Sequence, residues 1–223
     1  MIKRLTFILI YLFFWIVFFE LARIFFLLFE WPYTSKIPVS IIFQSLWYGL
    51  KMDLSMASYI TGPLCLFVIA SLFISFFSKQ KIYIIYTGIV LFIQVLLIMA
   101  DAEIYKAWGT RIDFTPLKYL STPKEMWASI SHLPIFWIAA GLVLFYLGLI
   151  WVIRKIIGRV IFLLQDNSRR WIQAAVLLVF SGWLIIPIRG GLQLAPLNHS
   201  SVYFCNHQFA NNAAQNAAWN FMY

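Results

Sequence analysis

The stretch LTFILIYLFFWIVFF, residues 5–19, holds no charged residue, and only Glu20 and Arg23 interrupt the apolar run before it closes near Phe29. A bilayer core about 30 Å thick needs roughly 20 apolar residues in a helix. Four more runs of that kind follow: Leu54–Phe77, Ile82–Ala100, Leu133–Ile153 and Trp171–Ile188. None alternates apolar and polar residues as a lipid-facing barrel strand does. All five are therefore predicted to be helices. Lys3 and Arg4 precede the first run, as in a signal peptide, but no small-residue cleavage site closes it, so it reads as an uncleaved anchor.

The rest of the chain agrees with that reading. Of its 223 residues 63% are hydrophobic, 19% aromatic and only 11% charged, and the mean hydropathy is +0.85. A soluble domain carries about a quarter of its residues charged, and a disordered chain tolerates few aromatics. Both classes are excluded. The expected fold class is an all-α polytopic membrane protein: five transmembrane helices over residues 1–188, with interfacial helices, then an outer-side segment over residues 189–223.

The net charge of +9 is explained by where the cations lie. Lys3, Arg4, Lys79, Lys81, Arg154, Lys155, Arg159, Arg169 and Arg170 occupy one set of connecting segments, opposed only by Asp166, for a net +8. The other set nets +1, because Lys36, Lys51, Lys106, Arg111, Lys118, Lys124 and Arg189 face six acids, Glu30, Asp53, Asp101, Glu103, Asp113 and Glu125. Basic residues are retained on the cytoplasmic side, so the N-terminus is expected there and everything after Ile188 outside. Nucleic acid is not needed to account for the charge, and membrane lipids are the expected partner.

Between the spans, Ile153, Ile156, Ile157, Val160, Ile161 and Leu164 share one helical face, with Arg154, Lys155 and Arg159 elsewhere. That is either a basic amphipathic helix on anionic lipid or a continuation of the fourth span. Val39–Leu50 reads as a re-entrant or interfacial helix. In the loop from Asp101 to His132, Thr115-Pro116 and Thr122-Pro123-Lys124-Glu125 are helix starts, the second a capping box followed by Met126, Trp127 and Ile130 on one side. From Asn198 to Tyr223 there is no Asp, Glu, Lys or Arg, and Phe209, Ala213, Ala214, Ala217, Ala218 and Phe221 predict a short helix with an amide-rich opposite face. This segment is expected to be a linker.

No catalytic set assembles at a recognisable spacing. His132, His199 and His207 are too scattered for zinc, and Cys65 and Cys205 form no framework. The intramembrane charges Glu20 and Arg23, three residues apart, read as a self-neutralised pair near the outer interface, with a headgroup or proton site as the alternative. Asp53, Asp101, Glu103, Arg111, Asp113 and Arg189, with Lys51, read as inter-loop ion pairs and helix caps, with an anionic lipid headgroup site as the alternative.

Six short stretches carry a resemblance. They are Lys51-Met52-Asp53-Leu54-Ser55, Asp101-Ala102-Glu103-Ile104-Tyr105, Trp108-Gly109-Thr110, Arg111-Ile112-Asp113, Leu117-Lys118-Tyr119-Leu120 and Arg189-Gly190-Gly191-Leu192. In this order they resemble the membrane domain of lipoteichoic acid synthase-like proteins, bacterial phosphoglycerol transferases of the alkaline phosphatase and sulfatase superfamily. The resemblance implies five helices and an extracellular catalytic domain beyond Tyr223. That domain would hold the nucleophilic Thr or Ser and a divalent metal such as manganese. No catalytic, metal-binding or cofactor-binding residue is carried over to this chain. The implied role here is to anchor that domain in a bacterial inner membrane, with Arg111, Asp113 and Arg189 against a lipid headgroup. The rival expectation is a stand-alone lipid-binding or scaffolding membrane protein.

Overall fold

The computed structural model describes residues 2–118, 121, 124, 135–165 and 169–222. Ten α-helices are described: α1 (Ile2–Phe29), α2 (Trp31–Thr34), α3 (Val39–Ala70), α4 (Gln80–Trp108), α5 (Thr115–Lys118), α6 (Ile135–Val160), α7 (Arg170–Trp183), α8 (Ile185–Arg189), α9 (Gln208–Ala214) and α10 (Ala217–Met222). Five helical units are long and apolar enough to cross a membrane: α1, α3, α4, α6 with the turn after it, and α7 continued by α8. No strand occurs among the described residues. The chain is an all-α, multi-span membrane protein.

The helices run further than their charge-free cores. Val39–Leu50 is neither re-entrant nor separate: it is the first third of α3, which crosses Lys51 and Asp53 without a break. Asp53 does not stop the helix because its carboxylate has partners inside the bundle, given below. At the other end α3 stops at Ala70, and Phe73–Phe77 lie in turns. Helix α4 continues two turns past Ala100 and closes on Gly109, whose φ of 71° is the left-handed cap conformation that glycine adopts without strain. Past Ile153 the chain continues α6 to Val160 and then a 3₁₀ turn over Ile161–Leu164, so continuation of the span is the form adopted. The fifth span breaks at Leu184, since Pro187 has no N–H to give and crowds the carbonyl of Trp183. Thr122, Pro123 and Glu125 of the expected capping box lie outside the described residues, as do Tyr119, Leu120, Met126, Trp127, Ile130, His132, Leu133 and Asp166.

Helix α3 sits at the centre. Trp15, Phe18, Phe7 and Ile8 of α1 pack on Met56, Ile60, Leu64 and Val68 of α3. Trp15 is fully buried, edge-on to Phe14 at 5.4 Å and Phe18 at 5.3 Å, the offset geometry aromatic quadrupoles prefer. Helix α6 leans on α4, where Tyr146 donates to the Gly88 carbonyl at 3.2 Å. The other faces of α6 and α7 expose Phe136, Leu144, Trp151, Leu178 and Val179, which are favourable only against lipid.

The alternating spans give the bundle two ends. At the basic end Arg4 is buried rather than solvated: it donates to the carbonyls of Val68 and Leu164 and to the Ser71 hydroxyl. It thus satisfies carbonyls that the ends of α3 and of the 3₁₀ turn leave open. The opposite end is closed by the chain's last segment.

Candidate functional site

Residues 208–222 do not trail away from the bundle. The expected single helix is two, α9 and α10, parted at Gln215-Asn216, and positions 210–220 are buried between α1, α3 and α4. An amide-rich segment enters such a place only if most of its polar groups find partners there, and most do, the buried Asn220 Oδ1 being left without one. Asn211 accepts from the N–H groups of Phe204 and Cys205 and donates to the Cys205 carbonyl at 2.7 Å, fixing the approach. Asn212 donates to the Tyr105 hydroxyl, Gln215 to that of Tyr203, and Asn220 to Gln215. Asn216 donates to Asp53 at 2.8 Å while its side-chain oxygen accepts from the Trp219 N–H, starting α10. Phe209 stacks on Phe26 and Tyr33.

Beneath this cover lie two ion pairs. Arg23 donates from Nη2 to Asp53 Oδ1 at 2.9 Å and from Nη1 to Glu20 at 2.7 Å, with Nη1 also in ion-pair contact at 2.8 Å with Asp53 Oδ2, an oxygen that accepts no hydrogen bond. Its remaining donors go to the last carbonyls of α9: Nε to Ala213 at 3.0 Å and Nη2 to Ala214 at 3.3 Å. Arg111 pairs with Asp101 at 2.9 Å, donates to the Asn212 carbonyl at 3.1 Å, and lies over the Phe26 ring at 4.1 Å. Asp101 also accepts from the Ile112 N–H at 2.8 Å, which folds the chain back after Gly109. Three successive carbonyls at the negative end of α9 thus meet two guanidinium groups. A charge-assisted hydrogen bond is among the stronger kinds, and here the carbonyls supply the extra acceptors a buried charge requires. A cavity of about 20 Å³, room for one water, lies among Arg23, Asp53, Asp101, Arg111, Gln215 and Asn216.

Burial pulls the pKa of the Arg111 guanidinium below its usual value and nearby Arg23 adds to this, against the opposing pull of Asp101. At Asp113 burial pushes the carboxyl up, but bonds from the Thr115 hydroxyl and N–H outweigh it and hold it below the ordinary carboxylate range.

No protein-family model, curated protein or solved structure matches this chain. What its residues can do is therefore argued from their placement alone. The self-neutralised pair expected of Glu20 and Arg23 forms, with Asp53 added as a third member. Of the charges expected in the inter-span ion pairs, Asp53, Asp101 and Arg111 gather in the covered network. Glu103, two residues beyond Asp101 on α4, is half-buried, and Asp113 is exposed and turned to the Thr115 N–H at 2.8 Å. Arg189 is exposed and donates to the Leu194 carbonyl at 2.8 Å, and Lys51 reaches Gln193 on the same loop at 3.3 Å. Sequence reasoning missed Asn212, Gln215 and Asn216. It also missed Gly49, whose missing side chain leaves the space in which the Arg23 guanidinium lies. The signal available was the uncharged run after Asn198 with amides at 211, 212, 216 and 220. Among the described residues no group of His, Cys, Asp and Glu is arranged to hold a metal ion. The arrangement does one thing well: it fastens the returning chain to the first, second and third spans.

Proposed function

We propose that this chain is the membrane domain of a lipoteichoic acid synthase-like phosphoglycerol transferase or sulfatase-like hydrolase, acting on lipid-linked headgroups at the outer face of a bacterial inner membrane. The observation that carries this reading is the fastening of α9 and α10 by Arg23 and Arg111. A free tether after the fifth span would let a following domain drift. A chain pinned by buried charged bonds delivers whatever follows it to one place beside the membrane surface, as an enzyme with a membrane-embedded substrate requires. The reaction, attack of an activated hydroxyl on a phosphodiester with charge stabilised by a divalent metal such as manganese, belongs to that further domain. The orientation, N-terminus cytoplasmic and tail outside, is part of the proposal and rests on the basic end being the retained one.

A second reading, a stand-alone lipid-binding protein, is favoured by one feature. Leu192 and Leu194 are 87% and 98% exposed on the loop that Lys51 and Arg189 hold. One experiment separates the two: immunodetection of residues 198–223 in membranes of the source cell. A band far heavier than 26.1 kDa supports the anchor, and a band at 26.1 kDa overturns it in favour of the second reading.

A further inference from the structure

At the basic end an open groove of about 540 Å³ is lined by Leu72, Arg169, Arg170, Trp171 and Ile172. Leu72 is its buried floor, and Trp171, 71% exposed, forms an apolar wall with Ile172. The end of α3 and the start of α7 are drawn together here by Phe73, whose ring lies 4.9 Å from that of Trp171 and under Arg170 at 5.9 Å. Neither the Arg169 nor the Arg170 guanidinium has a hydrogen-bond or ion-pair partner among the described residues, unlike those of Arg4, Arg23 and Arg111. Arg169 moreover holds a left-handed backbone, φ 51°, at the helix cap, a place where Gly or Asn is unstrained and Arg costs about 1 kcal/mol.

The depth of the groove identifies its occupant. The span from Arg170 to Arg189 is 20 residues, about 30 Å of helix, which matches the hydrocarbon thickness. Arg169 and Arg170 therefore stand in the plane of lipid phosphates, while Trp171 and Ile172 begin the acyl region. Lys79 and Lys81, at the start of α4, belong to the same basic end, and Asp166, the one acid in these segments, lies outside the described residues. We infer that this groove is a binding site for one anionic phospholipid, its phosphodiester between the Arg169 and Arg170 guanidiniums and its chains along Trp171 and Ile172. Paired arginines suit a phosphodiester because their planar forks match its oxygens. The inference rests neither on the proposed enzyme nor on the direction of insertion.

The test is native mass spectrometry of the purified chain in detergent with phosphatidylglycerol or phosphatidylcholine of identical chains. One phosphatidylglycerol is expected to be retained roughly tenfold or more over phosphatidylcholine, about what two basic contacts supply. Arg169→Gln/Arg170→Gln should abolish that preference, and Arg170→Gln alone, which leaves the strained cap untouched, should lower it should the pair fail to fold. Arg154→Gln/Lys155→Gln, equal in charge but outside the groove, should retain it. Equal retention of both lipids, or equal loss from both double variants, would mean diffuse attraction and overturn the site. Complete displacement by inorganic phosphate would overturn the lipid as occupant.

Discussion

Replacing Gly49 by Ala is expected to destabilise the protein although alanine is the better helix former. A Cβ at Gly49 would meet first the Arg23 guanidinium carbon and two of its nitrogens, the end of a flexible side chain. Arginine is flexible and can swing aside, so the cost is not a clash but what the guanidinium leaves behind: the ion pair with Asp53, the contact with Glu20 and the Ala213 and Ala214 carbonyls. Breaking a buried ion pair costs about 3–5 kcal/mol, and exchanging Gly for Ala inside a helix returns about 1 kcal/mol. The net loss is roughly 2–4 kcal/mol, or about 5–15 °C in thermal midpoint for a chain of this size. Gly62→Ala on the same helix, where a Cβ meets nothing within 4 Å, supplies the comparison and should match or exceed the wild type. Thermal unfolding in detergent reads both. In an Arg23→Ala background Gly49→Ala should lose most of its effect, because the two share one interaction. If Gly49→Ala proves as stable as Gly62→Ala, or costs the same with Arg23 absent, the guanidinium does not hold this end together.

Three other outcomes follow from the same contacts. Asn216→Ala should cost about 1–2 kcal/mol, the worth of a lost cap and a bond to a charged group; Asn216→Asp should cost more by setting a second carboxylate against Asp53, and proteolysis within residues 208–222 should rise in that order. Arg4→Ala strands the Val68 and Leu164 carbonyls and should cost about 2–3 kcal/mol in chemical unfolding, whereas Lys3→Ala, at an exposed position, should cost little. Because the Asp113 carboxyl is held below its ordinary range, its contribution to stability is complete above the unfolded value and fades as pH falls through the folded one; a carbon-13 titration should place it below a free Asp, and Asp113→Asn should flatten that acid limb.

The spans were legible because lipid imposes one unmistakable requirement, a long run of apolar side chains in a helix. Their ends were not, because Asp53 and Asp101 look like interruptions until Arg23 and Arg111 are known to meet them. The Glu20–Arg23 contact could be read from a separation of three residues. The Arg23–Asp53 contact joins residues thirty apart, and nothing in periodicity announces it. Arg4, counted with the cations from which the orientation is expected, is in addition a buried clamp. The tail was hardest to read. Asn, Gln and Ala carry no apolar signal, and whether such a segment is solvated or buried depends on partners supplied by other elements. Here those partners are one hydroxyl, one carboxylate and two guanidiniums from α1, α3, α4 and the turn after α4.

The same fastening sets a timetable for biosynthesis. Arg23 enters the membrane with the first span, but the Ala213 carbonyl it finally holds is 190 residues further along the chain. At about 5–20 residues per second, translation takes roughly 10–40 s to supply it. Asp53 comes much sooner, with the second span. Until it does, Glu20 is the counter-charge nearest to hand, since it travels on the same helix, one turn away. The nascent first span therefore carries its own neutralising partner through the interval, and the folded chain keeps that local contact beside the bonds that lock residues 213 and 214 in place.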